Sequence, residues 1–165
     1  NHSYVIDVFN EVQKKHPNVI LLLVGKDDEY TPYLENIKDK ILKYGITDKV
    51  RFLGMREDVP QLMQAADICL MPSLFEGFGI VAIEAQAASL PTIISDQFPN
   101  EIDVSMYITR LSLDIGLKKW TEAIINSSKY NRESCYKEIK AAGYDIENET
   151  ERIEKLLLDA YYELV

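Results

Sequence analysis

The chain has 165 residues, 47% of them hydrophobic and 27% charged; this suits one globular domain burying roughly 70% of its unfolded surface and excludes a disordered segment. Eighteen Lys and Arg against 27 Asp and Glu leave a net charge of -9, so nucleic acid and anionic membrane are poor partners for the chain as a whole. Two distant cysteines, Cys69 and Cys135, form no metal spacing and fit a reduced, cytoplasmic setting, and neither a 20-residue apolar span nor a leader-like segment is visible.

In chain order, Tyr4, Val5, Val8, Phe9 and Val12 recur at helical spacing over 3–15, and Pro17 follows as a stop. The continuous apolar run Val19 to Val24, with Gly25 as its exit, predicts a strand buried on both faces. A helix carrying Leu34, Ile37, Ile41 and Leu42 ends near Gly45 and leads to a strand over 50–54. A short helix over 60–66 precedes a strand at 68–71; a long apolar helix over 78–89 precedes another at 91–95; Met106 to Thr109 is a weaker strand candidate. Helix and strand alternating with connections too long for hairpins predict α/β architecture, a doubly wound Rossmann-like parallel sheet whose ligands bind at the carboxyl ends of its strands. Beyond Leu113 the pattern is helical only, over 116–128, 132–142 and 149–164, and this tail is expected to pack on the sheet domain.

The segment Met71 to Ala85, which leaves a strand and enters a helix, carries the chemistry. Gly77 and Gly79 allow a tight turn and close approach. The first helical amides, near Gly79, Ile80 and Val81, lack intrahelical acceptors and lie at the positive end of the helix dipole, where a phosphate or pyrophosphate would satisfy them. A plain strand-to-helix turn is an equal alternative for a glycine pair alone.

The helix over 78–89 reads as apolar nearly all round, so Glu84 within it needs hydrogen-bond donors, and a ribose diol supplies two. Glu76, before the helix, can accept from hydroxyls of a sugar attached to that phosphate. A buried ion pair for Glu84 and a favourable helix-terminus charge for Glu76 stand beside these readings.

In context the segment Pro72 to Ala87 resembles the Glu-x7-Glu signature of retaining GT-B glycosyltransferases of family 4, the "glycosyl transferases group 1" proteins. The stretches 50–54, 59–63, 65–68 and 91–95 look like the family's flanking segments in the same order, and 111–114 with 142–146 is similar to bacterial capsular and exopolysaccharide members. The resemblance implies that Glu76 is catalytic, contacting the donor sugar and its oxocarbenium-like transition state. It implies further that Glu84 holds the ribose, that Gly77, Phe78, Gly79, Ile80 and Val81 form the diphosphate turn, and that backbone near Met55 and Arg56 meets the nucleobase. Arg56 has an equal alternative as a surface residue paired with Glu57 or Asp58. No cofactor and no bound metal are implied; the partners are a nucleotide-sugar donor and a glycan or lipid-linked acceptor.

The family opens this domain with a strand carrying Gly-Arg and a nearby Lys that bind the diphosphate. The sequence here, starting at Asn1-His2-Ser3, resembles the residues just past that lysine. The expectation is therefore a single nucleotide-sugar-binding domain over 1–165, first strand absent, cut from a longer enzyme whose acceptor domain, with any membrane contact, lies elsewhere. Asp96 to Glu101 replaces the family's Gly-Gly loop. His2 and His16 read as solvent-facing, Cys69 as core, and Tyr161 and Tyr162 as packing residues of the last helix. A non-catalytic nucleotide-binding module and a GT-B epimerase are the alternatives.

Overall fold

The computed structural model describes residues 1–26, 31–129 and 131–163. Helix α1 (His2–Lys15) leads to strand β1 (Leu21–Val24), helix α2 (Pro32–Tyr44) and strand β2 (Val50–Gly54). Thr31 caps α2 by accepting from the Leu34 N–H, Pro32 sits at its first turn, and Gly45 at φ +67° ends it. Helix α3 (Val59–Ala65), strand β3 (Cys69–Met71), helix α4 (Ile80–Ala87) and strand β4 (Thr92–Ser95) follow, then strand β5 (Ile108–Leu111) and helices α5 (Leu117–Ser127), α6 (Tyr136–Ala141) and α7 (Ile146–Glu163).

Among the described residues all strand pairs are parallel, as the alternation predicts, but they form two pieces: β1 with β2, and the order β3-β4-β5. Between them lies an open slot of about 780 Å³, lined on one side by Leu21 to Gly25 and on the other by Cys69 to Ser73. Helix α1 joins the pieces. Its Ile6 and Phe9 pack with Ile37, Ile41, Ile46 and Val50 over the first piece. Its Val8 and Val12 pack with Ile93 and Trp120 of the second. Neighbouring stripes of one helix thus face different sheets, and burying each such side chain stabilises by roughly 1.5–3 kcal/mol. Trp120, fully buried, donates its indole N–H to the Ser112 carbonyl at 3.0 Å.

The slot corrects two expectations. Strand β1 alternates in burial, with Leu22 and Val24 40% and 42% exposed, because the side predicted to be covered faces the slot. Cys69 is only half-buried for the same reason. Strand β5 begins two residues later than predicted; its register pairs Thr92 with Ile108 and Ser95 with Leu111, leaving Met106 exposed and Tyr107 buried before it.

Helix α4 is shorter than 78–89, since Gly79 takes φ +87° and starts the helix at Ile80. It is not buried all round: Ala82, Ile83, Ala85 and Gln86 are buried, whereas Ile80, Val81 and Glu84 are exposed. The tail divides. α5 and α6 contribute Trp120 and Ile139 to the core clusters, but in α7 Ile153, Leu157, Tyr161 and Tyr162 are exposed, so Tyr161 and Tyr162 pack against each other rather than onto the sheets. The predicted last helical residue, Leu164, lies outside the described residues. No helix among the described residues is long and apolar enough to cross a membrane.

Candidate functional site

The carboxyl ends of β1 and β3 both border the slot. Asn1 donates from Nδ2 to the Pro72 carbonyl at 2.8 Å, and the Ser95 hydroxyl donates to the Ser73 carbonyl at 2.7 Å. The turn after β3 is therefore held at its root from both neighbouring elements. Beyond it Phe75 and Leu74 are exposed, and the half-buried Glu76 side chain accepts from the Gly77 N–H through Oε1 at 3.2 Å. The amides of Ile80 and Val81 occupy the first two positions of α4, where no intrahelical acceptor exists, and no side chain among the described residues caps that terminus. The turn thus offers an anion two backbone donors and the positive end of a helix dipole.

Of the residues singled out in the sequence, Met55, Arg56, Val81 and Glu84 line the slot together, joined by Lys26 and Ser73. Val81 and Glu84, three apart, share one face of α4, which explains why both are exposed: that face looks into the slot. Glu84 is therefore not the buried carboxylate that the apolar pattern predicts. Its ion-pair alternative fails as well, for Glu84 enters no salt bridge among the described residues. Its carboxylate is open to whatever occupies the cavity. Gly77, Phe78, Gly79 and Ile80 with Glu76 stand on the rim rather than in the lining, and the Phe78 ring leans on Tyr144, 6.2 Å between centroids.

Arg56 takes the alternative expected of it. Its guanidinium makes two bonds to the Asp58 carboxylate, at 2.8 and 2.7 Å, which hold that carboxyl below the ordinary range and raise the guanidinium. Both side chains are exposed, so the pair is exchangeable at little cost. His2 is not simply solvent-facing: it lines the slot and a smaller cavity of about 180 Å³ at the ends of β1 and β2, and its backbone N–H donates to the Tyr33 hydroxyl at 2.9 Å. Phe98 and Arg110 were invisible to pattern reading. Phe98 is a lone aromatic in a loop and Arg110 a lone cation in a short strand, and only the fold brings them to the turn.

The family model of glycosyl transferases group 1 matches residues 1–142. EpsF of Bacillus subtilis (strain 168), a protein named as a putative glycosyltransferase, is 31% identical over 149 residues, 88% of this chain and 38% of its own length. Mannosylfructose-phosphate synthase of Agrobacterium fabrum is 35% identical over 100 residues, 57% of this chain and 22% of its own. Among solved structures, WaaG, a glycosyltransferase involved in lipopolysaccharide biosynthesis, superposes with a TM-score of 0.68 at 25% identity, covering 79% of this chain and 35% of WaaG. Anabaena HepE, solved with UDP-glucose, gives 0.73 at 21% identity, covering 96% of this chain and 45% of HepE, a likeness of fold. The chain thus spans less than half the length of each of these proteins. With the family model matching most of its length and the parallel α/β architecture shared with GT-B enzymes, the chain belongs to the glycosyl transferases group 1 family.

Proposed function

We propose that this chain is the donor-binding half of a retaining glycosyltransferase that moves a hexose-type sugar from a nucleoside diphosphate to a hydroxyl of a glycan or lipid-linked acceptor, in polysaccharide biosynthesis and without a bound metal. The observation that carries the reading is the shared lining of one cavity by Glu84, Val81, Met55 and Arg56, directly beside the capless N-terminus of α4. Glu84 accepts from the ribose diol, the Ile80 and Val81 amides take the diphosphate charge, and Glu76 faces the donor sugar. Backbone near Met55 and Arg56 meets the base. The rest of the slot suits a further strand between β1 and β3, since the start of α1 stands at both of its sides, Asn1 bonded to Pro72 after β3 and His2 beside Val24 and Gly25 of β1.

In the reaction the bond between the sugar's C1 and the phosphate oxygen breaks and one between C1 and the acceptor oxygen forms on the same face, the acceptor proton passing to the leaving diphosphate. Charge grows on that diphosphate in the transition state, where preoriented amides act most strongly. The test is calorimetry of the full-length enzyme with nucleoside diphosphates and their sugars, repeated with Glu84→Gln and Glu76→Gln. Nucleotide affinity should fall about tenfold or more with Glu84→Gln, a loss of one charge-assisted acceptor. Glu76→Gln should abolish transfer while nucleotide binding survives. Unchanged affinity in the first variant refutes the ribose role, and unimpaired transfer in the second leaves only a nucleotide-binding role for the turn.

A further inference from the structure

The loop between β4 and β5 carries two exposed polar residues, Asp96 and Gln97, and then Phe98, which is 4% exposed. Its ring lies against Gly79: a Cβ placed on that glycine would stand 2.6 Å from both Cδ1 and Cε1 of Phe98 and 3.4 Å from the Glu76 Cγ. The Phe98 ring thus fills the space that a side chain on Gly79 would take, with the stem of Glu76 beside it. The same glycine starts α4, so the ring sets the position of the Ile80 and Val81 amides and of the Glu76 side chain together.

Phe98 is itself fixed from behind. Arg110 donates from Nη1 to the Phe98 carbonyl at 2.6 Å and from Nη2 to the Pro99 carbonyl at 3.0 Å. Its Nη2 and Nε also reach the two oxygens of Asp103, at 2.7 and 3.3 Å. Every guanidinium nitrogen is used, three partners on one loop are joined by one planar group, and a lysine has no geometry to replace it.

We propose that Phe98, held by Arg110 and Asp103, is the positioning residue of the donor turn. It acts through Gly79 to keep the first amides of α4 and the Glu76 carboxylate in the geometry that the transition state needs. The inference rests on the donor-site reading above. Displacement of such groups by an ångström costs far more in turnover than in ground-state binding. The dependence on Arg110 makes the two residues one device, so their substitutions should not add.

The experiment uses the full-length enzyme and whichever of UDP-glucose, GDP-mannose and ADP-glucose it turns over fastest, with release of nucleoside diphosphate to water as the assay. Phe98→Ala, Phe98→Leu, Arg110→Lys and the double variant Phe98→Leu with Arg110→Lys are compared well below their melting temperatures. Expected is a fall in kcat of tenfold or more for Phe98→Ala and Arg110→Lys, with the Kd for the nucleoside diphosphate changed less than about threefold. Phe98→Leu should recover part of kcat, and the double variant should be no worse than Arg110→Lys alone. Where Phe98→Ala does not fold, Phe98→Leu and Arg110→Lys decide. Variants that melt earlier but keep kcat overturn the inference while leaving the donor site intact, provided that Glu84→Gln still weakens nucleotide binding. A parent enzyme that binds no nucleoside diphosphate overturns the donor-site reading and this inference with it.

Discussion

Gln86, fully buried in α4, donates from Nε2 to the Ile102 carbonyl at 2.8 Å and accepts through Oε1 from both the N–H and the hydroxyl of Ser105, at 3.0 Å each. One side chain thereby satisfies three groups of the loop that approaches the donor turn, and it ties that loop to the helix whose other end forms the turn. Gln86→Leu keeps the volume but takes the acceptor from the half-buried Ser105 N–H and hydroxyl, and leaves the Ile102 carbonyl with the Val104 N–H alone. The expected loss is about 2–4 kcal/mol, read as a lower urea midpoint with unchanged slope. Gln86→Glu should be no better, since it restores the acceptor while removing the donor.

Gly77 and Gly79 look alike in the sequence and differ in the structure. Gly79 has φ +87° and the Phe98 ring against it; Gly77 has no left-handed φ, and a Cβ added to it would meet nothing within 4 Å. Gly79→Ala should cost at least about 2 kcal/mol, from the left-handed backbone and the displaced ring, and should lower kcat tenfold or more, as the loss of the ring does. Gly77→Ala should change stability by less than about 0.5 kcal/mol. Thermal denaturation and the nucleoside diphosphate release assay on the two variants check both statements.

The order of elements and the parallel pairing were legible because each strand is an apolar run between helical periods, and the family signature marked the turn. Side-chain exposure was not. Periodicity cannot say whether the α4 face holding Val81 and Glu84 is covered, because that depends on what stands opposite, and here the slot does. For β1 the same ambiguity hides Leu22 and Val24. The Arg56 pair with Asp58 was readable as local sequence chemistry, two residues apart, whereas Arg110 reaches its loop partners only through the β4–β5 register.

Cys69 lines the slot, yet its thiol sits beside Met63, Ala85 and Leu90. This apolar surrounding pushes the thiol up to about 11. At pH 8 the thiolate fraction is then roughly a hundredfold below that of an ordinary cysteine. Iodoacetamide should modify Cys69 about two orders of magnitude more slowly than a free thiol peptide under the same conditions, followed by intact-mass measurement. Nearly equal rates would show that the thiol is open to water.

Asp7 clamps α1 to α2. Its Oδ2 accepts from Lys40 Nζ at 2.6 Å and its Oδ1 from the Tyr44 hydroxyl at 2.7 Å. The bond to the Asp7 carboxylate, helped by partial desolvation, raises the Tyr44 phenol above its ordinary value. A phenol raised in the folded state favours folding while it stays protonated. Its contribution is complete below the unfolded value of about 10 and is lost as pH rises through the folded one. Burial and the Asp7 charge raise Tyr4 in the same direction, and Cys69 adds an earlier loss that begins near its unfolded value of about 8.5. Urea midpoints from about pH 7 to 11 should therefore fall in two stages. Cys69→Ala should remove the first stage, and Tyr44→Phe with Tyr4→Phe should flatten the second while lowering the midpoint at neutral pH, where the Asp7 bond is lost outright. An alkaline fall unchanged in the double tyrosine variant would mean that the α1–α2 clamp does not depend on the phenol proton.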